Sequence, residues 1–148
     1  MYLLDTCVIS DLSPQRSQPD RSIAEWLQRN EHRCFLSVIT MTEIAYGVAW
    51  LRHRRATTKA ARLAAWYDEL VHRHADRIIP IDTDIAFRAG VLLSRARAAG
   101  MEPDAEDAWI AATASVRQMV VLTFNEVDFR PLGVAWRNPR VELPSDGD

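Results

Sequence analysis

With 148 residues, 48% of them hydrophobic and 26% charged, the chain has the size and composition of one globular domain that buries its own core. No run approaches the roughly 18 apolar residues that span a membrane, and Cys7 and Cys34 fit neither a disulfide framework nor a zinc pattern, so both read as buried small hydrophobes. The net charge of −2 argues against a generally basic protein, yet Arg52, Arg54, Arg55, Lys59 and Arg62 follow one another with no acid between them, a stripe that reads either as a solvated helix face or as a track for phosphates.

The chain opens on the apolar run Tyr2 to Leu4, which fits a strand ending at Asp5. The opening MYLLDTCVIS lacks a basic start and a long apolar stretch, so it does not read as a signal peptide and the cytoplasm is the expected location. Residues 8–12 fit a short helix capped by Asp5 or Thr6. Residues 13–20, with Pro14 and Pro19, read as a loop. Ile23, Trp26 and Leu27 have helical spacing, and Ser22 with Glu25 resembles a capping box. Residues 34–38 read as a second strand, after which Thr40 or Thr42 opens a helix through Glu43 and on to Leu51. Residues 57–75 are helical by composition, with Leu63, Trp66, Tyr67, Leu70 and Val71 on one apolar face. A short β-type run at 78–81 precedes a helix over 83–99 that ends at Gly100. Another helix is expected from about Ala105 to Arg117, then a strand over 119–123. The remainder holds Pro131, Pro139 and Pro144, which predicts short strand pieces and a frayed, acidic end. Strands alternating with helices predict an α/β domain: a central, mostly parallel β-sheet flanked by helices.

Ligands of open α/β sheets bind beyond the carboxyl ends of the strands, and that is where this chain puts its acids. Asp5 follows the first strand and Glu43 the second, Asp107 opens a helix, and Asp128 follows the last long strand with Asn125 before it. Gathered at one edge, these carboxylates would repel one another and take up protons unless a hard divalent cation such as Mg²⁺ or Mn²⁺ lay among them. Such ions activate water and stabilise phosphodiester charge in transit. Each acid also has a structural reading: Asp5 as a helix cap, Glu43 and Asp107 as complements to helix dipoles, Asp128 as a turn residue. Spacing alone leaves both readings open. His32, His53, His72 and His74 fall outside the acidic segments and have no assigned role. Trp26, Trp50 and Trp66, at helical spacing, read as core, against an alternative in which the five tryptophans offer stacking surfaces.

Four segments carry a family resemblance. Leu3-Leu4-Asp5-Thr6-Cys7-Val8-Ile9-Ser10 resembles the first motif of PIN domains, usually hydrophobics followed by Asp-Thr-Asn-Val-Ile-Ser. Leu36-Ser37-Val38-Ile39-Thr40-Met41-Thr42-Glu43-Ile44-Ala45-Tyr46-Gly47-Val48 is similar to the second, in which a strand leads to a Glu and an aromatic-Gly pair. Asp107-Ala108-Trp109-Ile110-Ala111-Ala112-Thr113-Ala114 resembles the third, and Val121-Leu122-Thr123-Phe124-Asn125-Glu126-Val127-Asp128-Phe129 the fourth. The four come in order from Leu3 to about Pro139, and the resemblance is to VapC-like and FitB-like bacterial members. It implies a single PIN-like nuclease domain over 1–139 with an acidic tail at 140–148. It also implies an Mg²⁺- or Mn²⁺-dependent endoribonuclease that acts as the toxin of a type II, VapBC-like toxin–antitoxin pair. Asp5, Glu43 and Asp107 match the metal-binding acids, with Asp128 as the fourth, and Thr6, Thr123 and Asn125 match supporting positions. The implied partners are RNA, a VapB-like antitoxin, operator DNA through that antitoxin, and a second copy in a homodimer. Two positions depart from the pattern: Cys7 stands where Asn is common, and Asn125 where many members have Asp.

Rival readings are weaker. Ile78-Ile79-Pro80-Ile81-Asp82-Thr83-Asp84 has the look of a haloacid-dehalogenase-type phosphatase motif, but no Lys follows and too little chain remains, so Asp82 and Asp84 read as turn and helix-start residues. The same missing Lys argues against a phosphate-receiver domain. No Gly-x-x-x-x-Gly-Lys loop exists, which excludes a P-loop nucleotidase. A catalytically weak PIN-like subunit, acting in an antitoxin-bound DNA-binding complex, is the alternative from another class, with Asn125 as its one hint.

Overall fold

A computed structural model describes residues 1–145. Its centre is β1 (Tyr2–Leu4), whose three side chains are all buried, as befits a parallel strand covered on both faces. β2 (Cys34–Ser37) and then β3 (Ile78–Ile79) lie to one side of β1, and β4 (Val120–Leu122) and β5 (Trp136–Arg137) to the other. The order is β3-β2-β1-β4-β5, and every pairing is parallel. The expected α/β architecture is therefore observed.

Helices cover both faces. α1 (Thr6–Ser10), α2 (Arg21–Arg29), α3 (Val38–His53) and α4 (Thr57–Arg73) enclose one core, into which Tyr2 and Leu4 point. α5 (Thr83–Ala98), α6 (Ala105–Arg117) and the short α7 (Glu126–Phe129) enclose the other, which receives Leu3. This alternation along β1 is the period-two rule of a strand. α6 carries small residues to the sheet: Ala108, Ala111, Ala112 and Ala114 are all fully buried, so the helix backbone approaches closely.

Several predicted boundaries shift. α2 is capped by Asp20, whose carboxylate accepts from Ser22 and Ile23 amides, while Glu25 pairs with Arg21, so Ser22 and Glu25 form no capping box. α3 starts at Val38 rather than at Thr40 or Thr42, because Ser37 caps it by accepting from the Ile39 amide. Asp82 caps α5 through the Ile85 amide and pairs with Arg117 at 2.6 Å, while Asp84 lies in the first turn of that helix. Trp26 and Trp66 pack into the core as expected, but Trp50 is 47% exposed, which corrects its core reading. Val71, expected on the apolar face of α4, is also exposed. Near the end, Arg140 lies over the Phe124 ring and the Trp26 indole donates to the Pro144 carbonyl, so the chain is tied to the domain as far as Pro144. The acidic tail expected at 140–148 is therefore held against the domain over 140–144, and its last residues, 146–148, lie outside the described residues. No helix among the described residues is long and apolar enough to cross a membrane.

Candidate active site

The chain builds outward from β1 in one direction, then returns to start again on its other side at β4. The carboxyl ends of β1 and β4 thus form the crevice where open α/β sheets bind ligands. Asp5 sits there, its amide bonded to the Leu122 carbonyl at 3.0 Å. It occupies the N-cap position of α1, yet its side chain makes no capping bond. Its carboxylate instead accepts from the Thr123 hydroxyl at 2.7 Å and from the Cys7 thiol at 3.0 Å. The structure therefore does not support the capping reading of Asp5.

Three further acids arrive from other elements. Glu43, in the second turn of α3, accepts from the Thr6 hydroxyl. Asp107, in the first turn of α6, and Asp128, on α7, are joined through Asn125, whose amide donates to Asp128 at 2.5 Å and to Asp107 at 3.4 Å. The Asn125 amide nitrogen in turn donates to the Thr123 hydroxyl at 2.8 Å. Cys7 does what an amide side chain would do at its position: it donates to Asp5 and accepts from the Phe124 amide at 3.2 Å. Asp5, Thr123, Asn125, Asp107 and Asp128 thus form one hydrogen-bonded network with Cys7, and the Thr6–Glu43 pair stands beside it, coupled through charge to Asp5 and Asp107.

The electrostatics are those of acids without counter-charge. Burial, then the charges of Asp5, Asp128, Asp104 and Glu43, push the Asp107 carboxyl up to about 7. Burial raises Glu43 as well, opposed by its Thr6 bond and reinforced by Asp5, Glu106 and Asp104. Among the described residues none of the four acids has an ion-pair partner. Burial and the Asp5 charge push the Cys7 thiol up to about 12, so it is a hydrogen-bond donor and not a nucleophile.

Glu43 and Asp107 line an open cleft of about 690 Å³ with Thr6, Tyr46, Asp104, Glu106 and Trp109. Asp104 and Glu106 were not singled out from sequence, although the run Asp104-Ala105-Glu106-Asp107 is visible there. A second cavity of about 410 Å³, between α1, α2 and α4, holds none of the four acids. Among the described residues no three acidic, histidine or cysteine side chains converge tightly enough to enclose an ion as they stand. The donor set is all carboxylate oxygen, however, and Mg²⁺ typically takes one or two carboxylates and completes its shell with water. The residues present fit a hard cation held in that way.

The basic stripe lies elsewhere. Arg52 ends α3 with His53, Arg54 and Arg55 form the turn, and Lys59 and Arg62 lie on α4, all exposed. Along α3, Arg52 is about 14 Å from Glu43 at 1.5 Å per residue. The structure thus brings the acids together but leaves the cations outside the cleft.

The PIN domain family model matches residues 2–133. The chain belongs to the PIN domain family. It is similar to the VapC ribonuclease Y4jK of Sinorhizobium fredii, at 31% identity over 94% of this chain and 97% of that protein. It is also similar to toxin FitB of Neisseria gonorrhoeae, at 35% identity over 94% and 98%. A structure of FitAB bound to a DNA fragment superimposes with a TM-score of 0.75 at 34% identity, covering 94% of this chain and 95% of that one. PIN membership thus rests on order, fold and relatives together.

Proposed function

We propose that this PIN domain is a divalent-metal-dependent endoribonuclease, with Asp5, Glu43, Asp107 and Asp128 as its metal-binding and catalytic acids. The observation that carries the reading is the meeting of acids from four separate parts of the chain, Asp107 and Asp128 bridged by Asn125 and none with an ion-pair partner among the described residues, which pushes the Asp107 carboxyl up to about 7. A folded protein keeps such unpaired charge where a ligand supplies the opposite one. Mg²⁺ or Mn²⁺, when bound, supplies that charge, activates water and stabilises the phosphodiester oxygens. Thr123 and Cys7 fix the orientation of Asp5, Thr6 fixes Glu43, and Asn125 holds Asp128 against Asp107. Thr6, Thr123 and Asn125 are therefore positioning residues. With no activated side-chain nucleophile in the group, hydrolysis proceeds by direct attack of water on phosphorus.

The chain acts, in this reading, as the toxin of a VapBC-like pair, with its nuclease domain over 1–139, in the cytoplasm and as a homodimer. The likeness to VapC and FitB supports the toxin role, and the FitAB assembly on DNA supports an antitoxin partner that carries the DNA contact. Asn125 does not weaken the site, because Asp128 stands 2.5 Å from it and restores a fourth carboxylate. That contact weighs against the alternative of a catalytically weak regulatory subunit. The test is cleavage of total cellular RNA by purified protein with Mg²⁺ or Mn²⁺, beside EDTA and Asp5→Asn controls. Discrete fragments that vanish in both controls are expected; identical patterns from wild type and Asp5→Asn would sink the catalytic reading.

A further inference from the structure

α3 does more than present Glu43. Tyr46 and Trp50, 67% and 47% exposed, follow Glu43 on the same side of the helix, and exposed His53 continues the row one turn later. Their rings are aligned: Tyr46 and Trp50 have centroids 6.4 Å apart and planes 12° apart, and Trp50 and His53 have centroids 5.7 Å apart and planes 23° apart. Tyr46 itself lines the acidic cleft. The far end of the row reaches the α3–α4 turn, where Arg52, Arg54 and Arg55 are exposed. Among the described residues the charged groups of these three, of Lys59 and of Arg62 make no ion pair or hydrogen bond, the Gln15 side chain reaching only the Lys59 carbonyl. The turn is closed by the Ala56 amide on the Leu51 carbonyl, and Arg55 takes φ +57 there, a backbone conformation that favours glycine.

We infer that Tyr46, Trp50 and His53 form a stacking ladder for unpaired bases of single-stranded RNA, and that Arg52, Arg54 and Arg55 take its phosphates at the end remote from the cleft. The inference rests on the nuclease reading for its direction, since it leads a strand along α3 into the acids. A row of exposed aromatic rings that ends in exposed cations suits single-strand binding: every base has a face to stack, and the cations neutralise the backbone. A duplex offers no free base faces to such a row. The charge at the turn suits RNA and not an acidic-cleft cation, so the two ends of the row do different work. The ladder makes the enzyme selective for unpaired segments while the acids remain indifferent to base identity.

The test uses the full chain carrying Asp5→Asn and a fluorescent, unstructured RNA oligonucleotide in Mg²⁺, with a duplex of the same length beside it. Tyr46→Ala and Trp50→Ala should each weaken single-strand binding by roughly ten- to a hundredfold, Trp50→Phe should retain most of it, and the duplex should bind poorly. Arg54→Ala and Arg55→Gly should each flatten the salt dependence of single-strand affinity by about 0.7 in log–log slope. Arg55→Gly also relieves the turn, so its loss of RNA affinity should come without loss of thermal stability. In the cleaving protein, Trp50→Ala should raise KM and leave kcat near the wild-type value. Unchanged RNA affinity in Tyr46→Ala and Trp50→Ala would overturn the ladder, and so would a loss confined to self-association or antitoxin binding. RNA cleavage with unaltered KM in these variants defeats the ladder and leaves the nuclease standing. Trp50-dependent RNA binding without any cleavage does the reverse.

Discussion

The two ends of α1 each carry a buried aspartate, Asp5 before it and Asp11 after it, and both are 4% exposed. Asp11 is fully answered by the protein: Arg16 and Arg140 reach its carboxylate at 3.0 and 3.2 Å, and the Asp20 amide donates to it at 2.8 Å. Asp5 receives a hydroxyl and a thiol but no cation, and three other acids lie close enough to be felt in the titration of Asp107. Burial and residue type are the same, so neither distinguishes structure from function. The counter-charge does. An acid that ties the fold together brings its cation in the same chain, whereas an acid that serves a ligand leaves the place open.

The largest expected effect separates these two residues. Asp5→Asn should lower metal-dependent RNA cleavage by more than about a hundredfold, beyond the 10–100-fold typical of losing an outer-shell partner, with little change in thermal stability. Asp11→Asn should do the opposite, costing about 2 kcal/mol through its charged hydrogen bonds, read as a melting temperature lower by roughly 4–8 °C, with cleavage retained below that temperature. Equal effects of the two substitutions on both readouts would erase the distinction.

Next come the residues that hold the acids. Thr123→Val and Thr6→Val should each reduce metal affinity or cleavage by about 10–100-fold, measured by titrating activity with Mn²⁺. Activity insensitive to both would mean that the acids orient themselves.

A smaller effect follows from pH. The folded state raises Asp107 from its ordinary 3.8 to about 7 and raises Glu43 as well, so it binds these protons more tightly than the unfolded chain does. Their repulsion is absent below about pH 4, and stability is lost as pH rises towards about 7. The metal-free melting temperature should therefore fall across that window, and Mg²⁺ or Mn²⁺ should restore it most at the upper end. Asp107→Asn should raise the metal-free melting temperature near neutrality while abolishing cleavage. A flat profile in EDTA would show that the acids are not strained.

The smallest effect concerns the thiols. Burial holds both Cys7 and Cys34 at about 12, so iodoacetamide at pH 8 should leave both unmodified in the native protein, by mass spectrometry. Cys7→Asn should keep cleavage within a few-fold of wild type, since the thiol already donates to Asp5 and accepts from Phe124.

The motifs around Asp5, Glu43, Asp107 and Asp128 are continuous stretches, and their residue types announce both the elements and the acids. Less legible was Trp50, because α3 is apolar around much of its surface and helical spacing places Tyr46 and Trp50 on a face without saying what covers it. Asp104 and Glu106 were hidden by the same limit: an acid at a helix start, whether N-cap or first turn, reads as a cap or dipole complement until the cleft beside it is seen. The capping residues shifted for a local reason, since Asp20 and Ser37 compete with equally plausible neighbours and only backbone geometry chooses.

The sequence by itself determined the alternation of strands and helices, which follows from periodicity along the chain, and its resemblance to PIN domains singled out the four motifs and the four candidate acids. The tertiary structure alone decided that the Asp5 carboxylate does not cap α1, that Asn125 bridges Asp107 and Asp128, that Arg140 returns to neutralise Asp11, and that the α3 aromatics face outward. Each of these is a relation between residues distant in sequence or a choice of face, and both are set by packing across the sheet.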